Sequence, residues 1–341
     1  MPLSTRRKFV QQTSMALLGS MLVPEAINMQ VIMTVTGPIK PSVLKFTLVH
    51  EHILVDFIGA KEQNKNRYNA QEVFETALPL LKDVKTKGCF GFVECTPMYL
   101  GRDVSLLHRL AMASGLTIIT NTGYYGATGE KYLPAHVYNE TAEQISGRWI
   151  DEWKNGIEGT GIKPGFIKTS VDKGPLTPTQ RKIIDAAALT HLATGLTIGV
   201  HTGDGKAARE QLEILNARQV LPSARIWIHA QSEKDNAYHI EAARAGSWVS
   251  FDGVNQKTVQ ANVGYLQTMK GERLLGNVLV SQDAGWYHVG EPGGGKFQDY
   301  NCIFTELIPA LKQQGFTPQE INTLFVKNPA RALTIHLRKM A

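Results

Sequence analysis

The stretch TLVHEHILVDF, residues 47–57, places two histidines one residue apart inside an apolar run that is typical of a β-strand. Alternate side chains of a strand share one face, which predicts a common side for four of them: Leu48, His50, His52 and Leu54. Glu51 is expected on the other face, where it would hold backbone or a basic group instead of joining the histidines. From this stretch alone, a metal site and a pair of ordinary core histidines both stay open.

Seven further β-type runs follow this stretch, and helix-like segments separate them. The runs are CFGFVEC (89–95), LTIITNT (116–122), GFIKTS (165–170), LTIGVH (196–201), RIWIHA (225–230), SWVSFDG (247–253) and NVLVSQD (277–283). Eight strands, each followed by a helix, predict an α/β protein built as one (β/α)8 or TIM barrel. The alternative is a doubly wound open sheet, but no G-x-G-x-x-G turn follows the first strand to support it.

Three of the later runs end on residue types that bind metals, namely His201, His229 and Asp283. The carboxyl ends of parallel barrel strands meet at one rim, where barrel enzymes keep their active sites. Lys168 lies inside the apolar fourth run, where a lysine is costly unless its charge is removed or paired. Four imidazoles and one carboxylate without a thiolate favour a borderline divalent metal such as zinc, manganese or cobalt.

The composition is that of an ordinary globular protein with a sizeable core, since 43% of the 341 residues are hydrophobic. The net charge is +6, but basic residues cluster near the termini and no interior basic block carries interleaved aromatic residues. We therefore expect no nucleic-acid partner. The three cysteines, Cys89, Cys95 and Cys302, include no CxxC pair and give no disulfide framework.

The N-terminus carries a pattern of its own. TRRKFVQ (5–11) precedes a short apolar stretch at 15–23, which predicts a twin-arginine-type export signal over residues 1–26 and a periplasmic protein. The alternative is a disordered basic tail beside a chance apolar helix. Residues 27–45 are expected to form a β-ribbon that closes the bottom of the barrel, and 46–341 the barrel itself. No apolar run spans a bilayer, so no stable membrane insertion is expected after signal removal.

In this strand order the site residues resemble the phosphotriesterase-like branch of the amidohydrolase superfamily. The resemblance rests on HEH (50–52), GFIK (165–168), His201, His229 and Asp283, and it extends to LGRD (100–103), NTGYY (121–125) and KNPAR (327–331). It implies two divalent ions, zinc first, with manganese, cobalt or iron(II) as alternatives. It also divides the ligands into three groups: His50, His52 and Asp283 at a buried ion, His201 and His229 at a more exposed ion, and Lys168 bridging them.

The same resemblance implies that carbon dioxide converts Lys168 to N6-carboxylysine, which turns a buried cation into an anionic ligand. A hydroxide bridging the metals would attack the substrate, and Asp283 would accept its proton. The exposed ion would polarise the substrate C=O or P=O group. Family members are often homodimers, so a homodimer is expected here.

The chain also departs from the family pattern. Asp252 is followed by Gly253, where phosphotriesterases carry histidine and the lactonases arginine, so efficient organophosphate hydrolysis is not expected. Asp252 is predicted to support Asp283. The lactonase tyrosine position is a methionine, which makes the next residue, Tyr99, the candidate substrate contact. Tyr125 and Trp286 follow the third and eighth strands and are candidates for the pocket wall.

The predicted function is therefore binuclear metal-dependent hydrolysis of a small-molecule lactone or other carboxylic ester, with phosphotriesters as a promiscuous second class. One alternative is an amide or acylated-sugar hydrolase that uses the same site. Another is a barrel that binds metal without catalysis.

Overall fold

A computed structural model describes residues 30–341. The predicted export signal at 1–26 lies outside the described residues and stays a prediction. In the described part, an antiparallel ribbon comes first: Ile32–Thr34 pairs with Gly37–Ile39. Gly37 turns between the two strands with a φ of 112°, a conformation that favours glycine. The Val35 N–H donates to the Ile118 carbonyl at 2.9 Å, which ties the ribbon to the barrel.

Eight parallel strands form the barrel, and they are numbered first to eighth here. Their bounds are Thr47–Glu51, Gly91–Glu94, Thr117–Ile119 with its continuation Asn121–Thr122, Phe166–Val171, Thr197–Thr202, Arg225–Ile228, Trp248–Phe251 and Val278–Val280. Parallel ladders join each strand to the next. Backbone hydrogen bonds close the ring between the ends of the first and eighth strands, from Asp283 N to His50 O at 3.0 Å and from His52 N to Ala284 O at 2.9 Å. The predicted (β/α)8 barrel is confirmed.

Helices surround the strands as the outer layer. Their bounds are α1 Ala70–Thr86, α2 Val104–Ser114, α3 His136–Asn139, α4 Ala142–Asn155, α5 Pro178–Thr194, α6 Gly205–Ala217, α7 Asn236–Arg244, α8 Val259–Gly271, α9 Ile308–Gln313, α10 Pro318–Asn322 and α11 Asn328–Leu333. Capping boxes at Thr141 and Thr177 begin α4 and α5, and the left-handed Gly195 ends α5. Across residues 30–341, every helix is too short or too polar to cross a lipid bilayer.

The barrel interior is filled by apolar side chains from most of the strands. They include Val49, Val93, Phe166, Ile226 and Leu279, all buried in one cluster. The cavity left among them measures only about 10 Å³, so this layer is packed in the way expected of a barrel core. It separates the carboxyl-end rim from the amino end of the strands.

The C-terminal segment covers the amino end. The Ile335 N–H donates to Val31 O at 2.9 Å, which joins this segment to the start of the described chain. The buried guanidinium of Arg338 donates to Thr197 Oγ1 at 3.1 Å and to Thr334 O at 3.0 Å. These bonds fasten the end of the chain to the fifth strand.

The face prediction for the first strand was wrong for its two leucines. Leu48 and Leu54 pack in the outer cluster against the helices, whereas Val49 lies in the barrel interior. The pairing register of this strand shifts between Leu48 and Glu51. Such an irregularity breaks the simple alternation of side chains, which explains how Val49 and the neighbouring His50 can both face inward.

Candidate metal centre

Three side chains from the first and eighth strands converge at the carboxyl-end rim. His52 Nε2 lies 3.2 Å from His50 Nε2 and 3.1 Å from Asp283 Oδ1, and His50 Nε2 lies 3.7 Å from the same oxygen. Ligand atoms held tetrahedrally at about 2.0–2.1 Å from zinc stand about 3.4 Å apart. The observed spacings are therefore those of atoms that share one ion. Asp283 Oδ1 is also buried and receives no hydrogen bond within the described structure, as a ligand atom would.

Asp283 occupies a strained backbone position that the surrounding structure fixes. Its φ is 53°, in the left-handed region that few residues other than glycine adopt. Its carbonyl accepts a hydrogen bond from Trp286 Nε1 at 2.8 Å. Its second carboxylate oxygen, Oδ2, lies 3.8 Å from His229 Nε2. The carboxylate thus reaches both halves of the predicted site.

The ionisation state of Asp283 follows from its surroundings. Burial opposes its charge, but the imidazoles of His50 and His52 outweigh burial and hold the pKa of Asp283 below its usual range. Burial also lowers the pKa of His52 to about 4, despite the nearby carboxylate. At neutral pH the site therefore combines an ionised carboxylate with a neutral imidazole, the forms that bind a metal.

Asp252 contacts two of the predicted histidine ligands, His229 and His50, through their Nδ1 atoms. Its Oδ1 lies 2.7 Å from His229 Nδ1, and its two oxygens accept the His229 backbone N–H at 3.1 and 3.2 Å. His50 Nδ1 approaches Asp252 Oδ2 to 3.1 Å, without the alignment of a hydrogen bond. A carboxylate on one ring nitrogen fixes the other nitrogen as a metal ligand. Asp252 was expected to support Asp283; in the described structure its carboxylate instead contacts His229 and His50.

His201 and His229 form the more exposed half of the site. Their ring centroids lie 4.4 Å apart in an edge-on arrangement, and both side chains are partly exposed, whereas His50 and His52 are buried. His229 has a φ of 61°, so a second predicted ligand sits on strained backbone. Tyr125 covers this half, with its hydroxyl 3.1 Å from His201 Nδ1.

Lys168 is buried on the fourth strand beneath Tyr125, with Nζ 5.5 Å from the Tyr125 ring centroid. Among the described residues, no carboxylate oxygen lies within 4.0 Å of Lys168 Nζ, the limit for an ion pair. Burial lowers the pKa of Lys168. A carbamate forms only on a neutral amine, so this environment suits the modification that the family resemblance implies. The donor set as a whole fits a pair of divalent ions.

Glu51, between the two histidines, is not placed as a ligand; its carboxylate supports the turn next to Asp283. It accepts hydrogen bonds from Ser281 Oγ at 2.7 Å, from the Gln282 N–H at 3.0 Å and from the Ala284 N–H at 2.8 Å. These three donors surround Asp283 in sequence. Glu51 therefore fixes the turn that carries Asp283, as expected of a residue that holds backbone instead of metal.

Of the three predicted substrate contacts, the structure brings two to the site. Trp286 packs over His52 with ring centroids 4.2 Å apart, and Tyr125 lies beside His201. Tyr99 does not join them. Its ring packs against Tyr124, with centroids 5.5 Å apart, and it lines a separate surface cavity of about 860 Å³ beside α4. Tyr99 lies outside the metal rim, and its backbone has a left-handed φ of 67°.

Two contributors to the site were missed in the sequence. Thr96 Oγ1 lies 2.7 Å from His52 Nδ1, and Gln231 Nε2 donates to Asp252 Oδ1 at 3.1 Å. Thr96 and Gln231 lie two and three residues after the second and sixth strands, at the carboxyl rim. That position was a signal for both, but threonine and glutamine are too common at strand ends to be selected by type alone.

Comparisons with known proteins agree with this geometry. The phosphotriesterase family model matches residues 30–333. The phosphotriesterase homology protein of Escherichia coli K12 is 28% identical over 84% of this chain and 97% of its own length. The aryldialkylphosphatase of Saccharolobus solfataricus is 28% identical, over 84% and 94%. The N-acetyltaurine hydrolase of Dictyostelium discoideum is 27% identical, over 80% and 76%.

Among solved structures, the organophosphorus hydrolase from Deinococcus radiodurans superimposes with a TM-score of 0.81 at 26% identity, covering 89% of this chain and 97% of that one. The aryldialkylphosphatase, the N-acetyltaurine hydrolase and the organophosphorus hydrolase are named as hydrolases. The family match at residues 30–333 spans every strand that supplies a site residue. The chain therefore belongs to the phosphotriesterase family and is a hydrolase.

Proposed function

We propose that this protein is a binuclear metal-dependent hydrolase whose main substrates are lactones or other carboxylic esters. The observation that carries the proposal is the convergence of His50, His52 and Asp283 at ligand spacing on one rim. The second half of the site, His201 and His229, lies directly beside them.

The proposed ligand assignment keeps the division that the family resemblance implies, and the grouping of His50, His52 and Asp283 supports its first part. His50, His52 and Asp283 would hold the buried ion, His201 and His229 the exposed ion, and a carbamylated Lys168 would complete both. Two divalent ions bound there supply Lewis-acid activation of a substrate oxygen and an ionised water near neutral pH.

The chain's own residues would then handle substrate and proton. Asp283 Oδ1 receives no hydrogen bond within the described structure, so this carboxylate would be the proton acceptor at the site. Asp252 keeps the His229 ring in place through its Nδ1. The Tyr125 hydroxyl, 3.1 Å from His201 Nδ1, would be within reach of a substrate bound at the exposed half.

The wall of the site favours an apolar substrate portion. Trp286 stacks on Phe57 with ring centroids 5.7 Å apart, and Phe57 packs against His288 and Tyr132 at 5.5 and 6.2 Å. Flat aromatic surfaces of this kind bind alkyl or aryl groups. An ester or lactone with an apolar chain suits this wall.

Amide hydrolysis is the second candidate, because one relative bears the name N-acetyltaurine hydrolase. Attack on an amide uses the same ligands and the same proton acceptor. The two reactions differ in the leaving group, which after amide cleavage must take up a proton to depart as an amine.

The test is a substrate panel with purified, metal-loaded protein. The panel contains aliphatic lactones, aryl esters, phosphotriesters and N-acyl amino acids or sulfonates, each assayed with wild type and Asp283→Asn. The proposal predicts the highest kcat/KM for a lactone or ester, and loss of that activity in the variant. A kcat/KM that is highest for an N-acyl compound favours the second candidate, and turnover of none of the classes contradicts the proposal.

A further inference from the structure

Gly253 and Gln231 compete for one space beside Asp252. A Cβ atom placed on Gly253 would lie 2.7 Å from Gln231 Nε2, and its three nearest neighbours would all be atoms of the Gln231 side chain. Real Cβ contacts are not this short. The chain thus fills from position 231, in the turn after the sixth strand, the space that a side chain at position 253 would enter.

The side-chain amide of Gln231 makes two hydrogen bonds to Asp252. Its Nε2 donates to Asp252 Oδ1 at 3.1 Å, and its Oε1 accepts the Asp252 backbone N–H at 3.2 Å. Only a side chain with both a donor and an acceptor makes this pair. The Gln231 backbone carbonyl is engaged separately, by Lys234 Nζ at 2.6 Å, so the turn keeps an anchor of its own.

Asp252 in turn contacts one histidine from each half of the metal centre, His229 at 2.7 Å and His50 at 3.1 Å. A shift of its carboxylate would therefore misplace a ligand of each ion. We propose that Gln231 is a positioning residue of the metal centre, which acts through Asp252 and depends on the absence of a side chain at position 253. This inference rests on the proposed function.

Alanine at position 253 provides a clean probe of that dependence. Gly253 is not among the positive-φ glycines, so alanine there meets no backbone strain. The three atoms nearest to its Cβ would all belong to the Gln231 side chain, so the Gln231 amide would have to move. Gly253→Ala should therefore reproduce the effect of removing the amide. In a chain that already lacks the Gln231 amide, Gly253→Ala should cause no further change in metal affinity.

The experiment measures cobalt affinity by chelator competition, the visible spectrum of the cobalt-loaded protein, and the Tm of the metal-free protein. The variants are Gln231→Leu, Gly253→Ala, Gln231→Ala and the double variant Gln231→Ala/Gly253→Ala. Ser232→Ala, an exposed change in the same turn, is the matched control. Supporting residues of metal ligands typically contribute 10–100-fold to affinity, and we expect about tenfold weaker binding in each single variant at positions 231 and 253.

The spectrum should shift in these variants and stay unchanged in the Ser232→Ala control. The metal-free Tm records separately the stability lost by leaving the Asp252 backbone N–H unpaired. In the Gln231→Ala background, Gly253→Ala should change the affinity by less than about twofold. Wild-type affinity in Gln231→Leu, or full additivity in the double variant, overturns the inference and leaves the proposed function intact. A wild-type chain that binds no cobalt overturns both.

Discussion

The two ends of the barrel both bury histidines, but they treat them differently. At the amino end, His191 has its Nδ1 2.8 Å from Leu196 O, and its Nε2 accepts the Arg338 backbone N–H at 3.0 Å. At the carboxyl end, His50 and His52 turn their Nε2 atoms toward each other and toward Asp283 Oδ1, which receives no hydrogen bond. At the amino end both ring nitrogens of His191 are paired with backbone, whereas at the carboxyl end two ring nitrogens and a carboxylate oxygen converge on one position.

The difference separates stability from function. Buried polar groups that are fully paired with backbone hold a fold together. Converging acceptors together with strained backbone at Asp283 and His229 cost stability and persist where a site requires them. Substitutions at the carboxyl end should therefore remove activity with little effect on unfolding, and substitutions at the amino end should do the reverse.

The largest effect is expected from Asp283→Asn. The amide keeps the shape of the side chain but removes the proton acceptor and one charge from the ligand set. General-base groups contribute roughly 10²–10⁴-fold to rate, and we expect a loss of kcat in that range with the metal-free Tm retained. Steady-state kinetics on the best substrate measures it. Near-wild-type turnover would remove Asp283 from the mechanism.

The next effect belongs to the amino end. Arg338→Met removes a buried guanidinium that donates to Thr197 Oγ1 and to Thr334 O. Leaving such acceptors unpaired costs about 2–3 kcal/mol in the free energy of unfolding. Urea unfolding of the metal-free protein gives the value, and kcat/KM at the metal rim should stay unchanged. A loss of activity without a loss of stability would break the comparison between the two ends.

Asp252→Asn should weaken metal binding about 10–100-fold, because its carboxylate positions His229 and His50. The amide retains an acceptor oxygen but loses the charge that fixes the proton on His229 Nδ1. Chelator competition measures the affinity, and unfolding of the metal-free variant serves as its control. An unchanged metal affinity would show that Asp252 is dispensable for the histidine geometry.

The smallest effect is a pH slope at the amino end. Burial lowers the pKa of His191 to about 4, below the value near 6.5 of an unfolded chain. Between pH 6.5 and 4 the unfolded state thus binds the extra proton, so the contribution of His191 is complete above pH 6.5 and is lost as the pH falls. As the pH falls from 6.5 to 4, the free energy of unfolding of metal-free His191→Gln should decrease less steeply than that of the wild type. The difference in slope is at most about 1.4 kcal/mol per pH unit. Parallel pH curves for variant and wild type would contradict this assignment.

The sequence predicts the barrel and its functional rim well, for a simple reason. Apolar runs that end on His201, His229 or Asp283 report both strand burial and strand direction, and parallel strands bring such ends together. The two histidines of the first strand follow the same logic. These signals are local, so they can be read without knowing the neighbours in space.

Features that depend on contacts between strands could not be predicted. The register shift between Leu48 and Glu51 alters which residues face inward, and nothing within that stretch announces it. Tyr99 was expected at the substrate, but it packs beside Tyr124. The shared space of Gln231 and Gly253 joins residues 22 positions apart whose proximity only the fold reveals.

Metal analysis of the wild-type protein and Lys168→Ala tests directly whether the rim holds two metal ions that depend on Lys168. Both proteins are purified, reconstituted with zinc and bicarbonate, and assayed for bound metal and for hydrolysis of the best substrate. We expect two zinc ions for each wild-type chain, and fewer in Lys168→Ala with activity largely lost. A Lys168→Ala protein that kept two metals and full activity would contradict it.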